Sequence, residues 1–256
     1  MKRKWNISAL PVLILGCGGL SSALWRLMLR FSLDSKGLLV FPNLPGILVL
    51  LITLAVTVAA VLFTYPLDGS NRYADNFGPS PVGGITAFAA AAATLLLMLQ
   101  NIGTQQDLLS SAWLVLGFLS VPAMALTGLC HIRGKRPNFL FHSILCAFFG
   151  IHMANQYRFW SSDPQMAHYF FRLFACAGLA LTAYYHAAFD VGMGRRRRLL
   201  AVGMLTAYCC MVALGSLGLF YPACGLWAAA NLCRFQPQPR RPKPAEEPPA
   251  PEGAQP

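Results

Sequence analysis

An apolar run long enough to cross a lipid bilayer recurs seven times along this chain, and most of the charge collects in the gaps between the runs. A spanning helix needs about 20 apolar residues at a rise of about 1.5 Å each. The runs cover 7–26, 45–64, 82–100, 108–130, 139–160, 168–190 and 199–233. Only 11% of the residues are charged, against about 25% in a soluble globular domain. This pattern predicts an all-α, polytopic transmembrane helix bundle of seven or eight spans over residues 1–235. The Pro-rich stretch 236–256 is expected to be a disordered cytoplasmic tail.

The net charge of +11 does not point to nucleic acid. A nucleic-acid binder gathers its Lys and Arg on a folded face, whereas here they punctuate apolar segments. The lipid bilayer is the partner this arrangement implies.

The last run, 199–233, carries no charge from Leu199 to Leu232. It is too long for one span and slightly short for two. The stretch "GSLG" at 215–218 and the pair Tyr221-Pro222 supply a break. The run therefore reads as two short helices in a hairpin, or as one span followed by an interfacial segment.

Basic clusters orient the chain. Lys2, Arg3 and Lys4 precede the first run, Arg133, Lys135 and Arg136 follow the fourth, and Arg195 to Arg198 follow the sixth. With every run crossing, all three fall on one side, which the positive-inside rule makes cytoplasmic. Eight crossings add Arg234, Arg240, Arg241 and Lys243 to that side; seven oppose them to it. The N-terminus is thus expected in the cytoplasm and the protein in the cell membrane. Arg195 to Arg198 read as redundant, solvated anchors at anionic headgroups. Arg26 and Arg30 are expected to snorkel at the outer boundary, with Asp34 as a partner.

Local motifs add little. "KRK", an apolar stretch and "SSA" at 21–23 imitate a signal peptide, and the residues before Cys17 loosely imitate a lipoprotein box. Trp25, Arg26 and Arg30 continue a helical end, so an uncleaved first span is expected. The eight cysteines form no C-x-x-C pair, and they read as small packing residues rather than as disulfides or zinc ligands. Asn6-Ile7-Ser8 matches a glycosylation acceptor but lies on the cytoplasmic side. In the third run, Gly83, Ala87 and Ala91 recur at every fourth position, the spacing that lets helix backbones approach closely in lipid.

The sixth run raises the functional question, because it carries Arg172, His186 and Asp190. At about 100° per residue all three fall within about 40° of one line, and His168 joins them. On the fifth run, His142 and Gln156 lie within about 40° of each other, with His152 about 80° from His142. A short connection makes the two runs an antiparallel hairpin. The register opposes His142 to His186, His152 to Cys176, Gln156 to Arg172 and Asn138 to Asp190. Lipid cannot solvate such groups, so they are expected to face one another across a shared polar seam or pocket: His142, His152, Gln156, Arg172, His186 and Asp190.

Two readings of the seam follow. It is a helix-pairing device of interhelical hydrogen bonds, each contributing about 0.6–2 kcal/mol, or a path or pocket for a solute, ion or proton. His186 and Asp190, one turn apart, suit proton binding near neutral pH. The chain contains no H-E-x-x-H, no Walker motif and no Rossmann glycine fingerprint. Ser216 and His186 fit no protease spacing, His142 and His186 alone make a poor metal or haem site, and no inverted repeat is visible. The expectation is a small permease-like or transport-associated protein without cofactor or metal, with a membrane enzyme as the third reading. The alternative is a non-catalytic membrane subunit or sensor acting through a protein partner.

Overall fold

The computed structural model describes residues 9–31, 43–65, 67, 70–103, 107–160, 169–214 and 217–235. Over these residues the protein is all-helical, with one isolated backbone bridge, Phe77 to Phe235, and no strand. The helices are α1 (Ala9–Phe31), α2 (Leu44–Thr64), α3 (Tyr73–Asn76), α4 (Pro81–Gln100), α5 (Leu108–Ile132), α6 (Phe139–Trp160), α7 (Phe170–Asp190), α8 (Arg196–Val212) and α9 (Phe220–Cys233). Four segments, Leu10–Phe31, Leu44–Thr64, Pro81–Gln100 and Leu108–Ile132, are long and apolar enough to cross a membrane. Their length and composition are those of a membrane protein.

The starts of three of these helices follow from local chemistry. Asn43, Ser80 and Asp107 are N-caps whose side-chain oxygens accept from the backbone N–H three residues on, at 2.8, 3.0 and 2.9 Å. Each satisfies a donor that has no partner inside its own helix. Pro45 and Pro81 sit in the first turn, where the missing N–H costs nothing. Within the helices, Thr64, Thr94, Thr127 and Thr206 return their hydroxyls to the carbonyl four residues back, each at 2.8 Å. A hydroxyl with no water to bond is satisfied in this way without a neighbour.

Successive long helices run antiparallel. Met28 of α1 meets Gly46 of α2, and Thr94 of α4 faces Met124 of α5. Ser110 of α5 bonds Asn155 of α6, His142 of α6 bonds Asp190 of α7, and Gly203 of α8 lies on Leu232 of α9. One end of the bundle therefore collects the ends of α2, α5, α7 and α9 and the starts of α1, α4, α6 and α8. Arg72, Arg133, Lys135, Arg136 and Arg195 to Arg198 lie there, and it is called the basic end below.

Helices α4 and α5 approach closely through glycine. A Cβ added at Gly128 would stand 3.1 Å from both the Gly84 carbonyl and the Ala87 Cβ. The small stripe on the third run thus meets α5 through Ala87, while Gly83 faces Arg234, the residue after α9. The outside of the bundle is apolar: Leu50, Leu54 and Leu62 of α2 are more than half exposed, as a lipid-facing surface requires.

The structure resolves the long last run into α8 and α9. They are separated at 213–219, where Leu217 and Gly218 have φ of 51° and 57°. Tyr221-Pro222 lies in the first turn of α9 rather than in the break. The first helix extends to Phe31, and Arg26 donates from Nη2 to the carbonyl of Leu214 at 2.6 Å, closing the end of α8. Arg196 corrects an expectation. It is 4% exposed, with its guanidinium 5.1 Å from the centre of the Phe235 ring, and is not one of a row of solvated charges. The first turn of α8 rotates this one arginine inward while Arg195, Arg197 and Arg198 stay exposed. The expectations for Asn6, Asp34, His168 and the tail 236–256 lie outside the described residues.

Candidate functional site

Three ionisable side chains meet in the interior near the basic end. Asp190 is the last residue of α7, and His142 lies in the first turn of α6. Both are 0% exposed, and His142 Nδ1 lies 2.5 Å from Asp190 Oδ2. That contact requires one proton held between the two atoms, whichever carries it. The C-terminal end of α7 disfavours a negative charge at Asp190, and the N-terminal end of α6 disfavours a positive charge at His142. Each is therefore placed against its own helix and held by the other.

His186, one turn before Asp190, stacks on His142 with ring centres 5.1 Å apart and planes at 17°. The Phe77 ring centre lies 5.7 Å from that of His186, and that of Trp227 of α9 lies at 6.2 Å. Three atoms of the group, His142 Nε2, His186 Nε2 and Asp190 Oδ1, are buried and have no hydrogen-bond partner. Such atoms are rare in folded proteins, because each leaves a desolvated polar group uncompensated.

A second shell of polar residues surrounds this group, and the two-helix reading of the sequence missed it. His131, at the end of α5, is 0% exposed and lies within electrostatic range of His142 and Arg234. Arg234, just after α9, is 4% exposed and spends its donors locally. Nη2 donates to the Tyr73 hydroxyl at 2.8 Å, Nη1 to Asn231 Oδ1 at 3.3 Å and Nε to the Gly78 carbonyl at 3.4 Å. Burial pushes the Tyr73 phenol above its ordinary pKa of 10.0, with the Arg234 guanidinium opposing the shift. Segment 70–80 is stitched to the bundle by these bonds and by the Ser80 N–H to the His131 carbonyl at 3.0 Å. One signal for His131 was present: steps of three and four back from it give Thr127, Met124, Ser120, Gly117, Trp113 and Ser110, all buried.

The six seam residues fall into three groups. His142, His186 and Asp190 come together, with Asp190 bonded to His142 rather than opposed to Asn138. His152, also 0% exposed, sits apart in an aromatic box. It stacks on Trp113 at 5.6 Å and Phe148 at 5.9 Å and meets the edge of Phe220 at 5.2 Å. Cys176 and His152 share Tyr221 as a neighbour, Cys176 through a 3.3 Å contact from its sulfur to the Tyr221 hydroxyl and His152 with ring centres 6.4 Å apart. Gln156 and Arg172 are half-buried near the far end, with the Arg172 guanidinium 5.4 Å from the Tyr169 ring centre. Between the first two groups stand Leu145, Phe149, Leu179 and Ala183, each 0% exposed, while the Thr182 hydroxyl bonds that of Thr206 on α8 at 3.1 Å. An apolar layer thus divides the polar residues of the hairpin.

Among the described residues no group of three or more His, Cys, Asp or Glu side chains is placed to hold a metal ion. The cysteines are all free thiols. No family model matches the chain, and no curated protein and no solved structure matches it.

Proposed function

We propose that this is a multi-pass protein of the cell membrane with eight crossings. Its N- and C-termini lie in the cytoplasm, and it acts as a small permease-like or transport-associated protein around His142, His186 and Asp190. The observation that carries this reading is the buried pair His142–Asp190 against His186, with three buried polar atoms that have no hydrogen-bond partner in the protein. Intramembrane ionisable residues in such a setting mark proton or solute routes. On this reading the buried side chains Leu145, Phe149 and Leu179 would have to part for a proton to pass.

The alternation of the long helices and the gathering of basic residues at one end support the eight-crossing topology. A reporter fused after Arg234 is then expected on the cytoplasmic side, and a probe beside Arg133 is expected to resist labelling from outside intact cells. Either result reversed contradicts the topology.

The functional test uses purified protein in liposomes under a potassium-diffusion potential, with a trapped pH dye. Proton entry above that of empty liposomes is expected for the natural protein and is expected to disappear in Asp190→Asn. Equal entry with and without protein, or an unchanged Asp190→Asn, counts against the transport reading.

A second reading has its own observation. Helix α2 buries only Val49, Val56, Ala60 and Thr64 and leaves a broad apolar face toward lipid. A non-catalytic subunit or sensor would dock a partner helix there and would use the His142–Asp190 pair only to fix α6 against α7.

A further inference from the structure

A depression of about 480 Å³ opens at the basic end, outside the buried histidine group. Its floor is aromatic, formed by Tyr73, Phe77 and Phe189, and its charged walls are Arg72 and Arg136. The opening exists because two helices end on glycine. Gly134 after α5 and Gly192 after α7 have φ of 64° and 79°. In each case the next residue's N–H bonds back to the carbonyl five before it, Lys135 to Cys130 at 2.9 Å and Met193 to Ala188 at 2.8 Å. This helix ending needs a left-handed residue that glycine alone supplies without strain. Both glycines line the depression, so the same backbone requirement that ends the helices leaves its lip bare.

Among the described residues the charges of the depression form no ion pair, and no acidic residue lines it. Asp75, on the neighbouring turn, accepts from Ser70 Oγ at 2.6 Å. Asp190 is fully buried and engaged by His142. Arg133, Lys135 and Arg195 stand exposed at the same end and add to the positive field.

We propose that this depression binds a phosphate monoester carried on an apolar body. Two guanidinium forks match a dianion with three acceptor oxygens better than the single charge of a carboxylate. The aromatic floor takes the apolar part, and a volume of this size suits a small ligand. A lipid headgroup of the phosphatidic acid type and a soluble phosphate ester present the same chemistry. The site is separate from the buried histidine group, and it stands or falls independently of transport.

The test uses the full chain in nanodiscs and two probes, dioleoyl phosphatidic acid and phenyl phosphate, with dioleoyl phosphatidylcholine as the background lipid. Native mass spectrometry reads retained lipid, and the melting temperature reads phenyl phosphate. The double variant Arg72→Gln/Arg136→Gln is expected to weaken binding by about tenfold or more, since each fork makes charge-assisted bonds. The equally charged control Arg133→Gln/Arg195→Gln is expected to stay within about twofold, because exposed charges outside the site act only through a screened field. Ala74→Trp, which fills the depression without changing charge, is expected to abolish binding and covers the case in which the double variant fails to fold. Retention of the lipid alone assigns the site to a headgroup, and a response to phenyl phosphate that requires Arg72 and Arg136 assigns it to a soluble ester. Equal losses in the two double variants, binding unaffected by Ala74→Trp, or no binding of either probe overturns the proposal.

Discussion

His142 and His152 lie on the same helix about 15 Å apart, and both are fully buried, yet their surroundings have nothing in common. His142 is held by a carboxylate, stacked on a second imidazole and placed near an arginine-tyrosine pair. His152 is surrounded by Trp113, Phe148, Phe220 and Tyr221, and both its ring nitrogens are without hydrogen-bond partners. The contrast separates two uses of one residue type. His142 meets a carboxylate, and His152 meets aromatic rings. A sequence pattern that counts ionisable side chains on a helix face cannot tell them apart.

The largest expected effect is at the first site. Asp190→Ala leaves a buried imidazole without its partner and is expected to cost about 3–5 kcal/mol, read by reversible unfolding in mixed micelles. If His142→Phe is added to Asp190→Leu, much of that loss is expected to return, because an apolar pair needs no compensation. A smaller effect is expected between α4 and α5. Gly128→Val presses a branched side chain onto the Gly84 carbonyl and is expected to cost about 1–3 kcal/mol, read in the same way.

At the second site the comparison predicts tolerance. His152→Phe keeps a planar ring of similar volume and removes two unpaired nitrogens, so it is expected to change stability by less than about 1.5 kcal/mol, in either direction. A loss as large as that at Asp190 would mean that His152 has a polar role and would erase the distinction. The smallest effect is expected at the surface pair Arg158–Asp107, which is partly exposed. Arg158→Gln is expected to cost about 0–1 kcal/mol, with less at high salt.

Helix positions were legible because lipid imposes a simple rule. A segment that satisfies its own backbone and shows an apolar surface needs about 20 apolar residues, so α2, α4, α5 and α6 stand within two residues of their runs. The break between α8 and α9 was legible in "GSLG", where Gly218 adopts a positive φ. The four-residue α3 has no periodicity to detect, and nothing local announces that Tyr73 and Phe77 close over the histidines.

The site was legible only within the hairpin that supplied the pattern. His142, His186 and Asp190 share facing stripes on two neighbouring helices, and periodicity places them together. His131, Tyr73 and Arg234 join from α5, segment 70–80 and the end of α9, which only the packing of the whole bundle brings near. Arg196 was misread because a run of four arginines looks uniformly solvated, whereas the first helical turn points one of them at Phe235.

The central claim, that His142 and Asp190 act as one buried unit while His152 stands apart, is tested most directly by paired double-mutant cycles. Unfolding free energies are measured for His142→Ala, His152→Ala, Asp190→Ala and the two combinations with Asp190→Ala. A coupling of about 2 kcal/mol or more is expected between His142 and Asp190, and additivity within about 0.5 kcal/mol between His152 and Asp190. Additive losses at His142 and Asp190, or equal coupling in both pairs, would contradict the account.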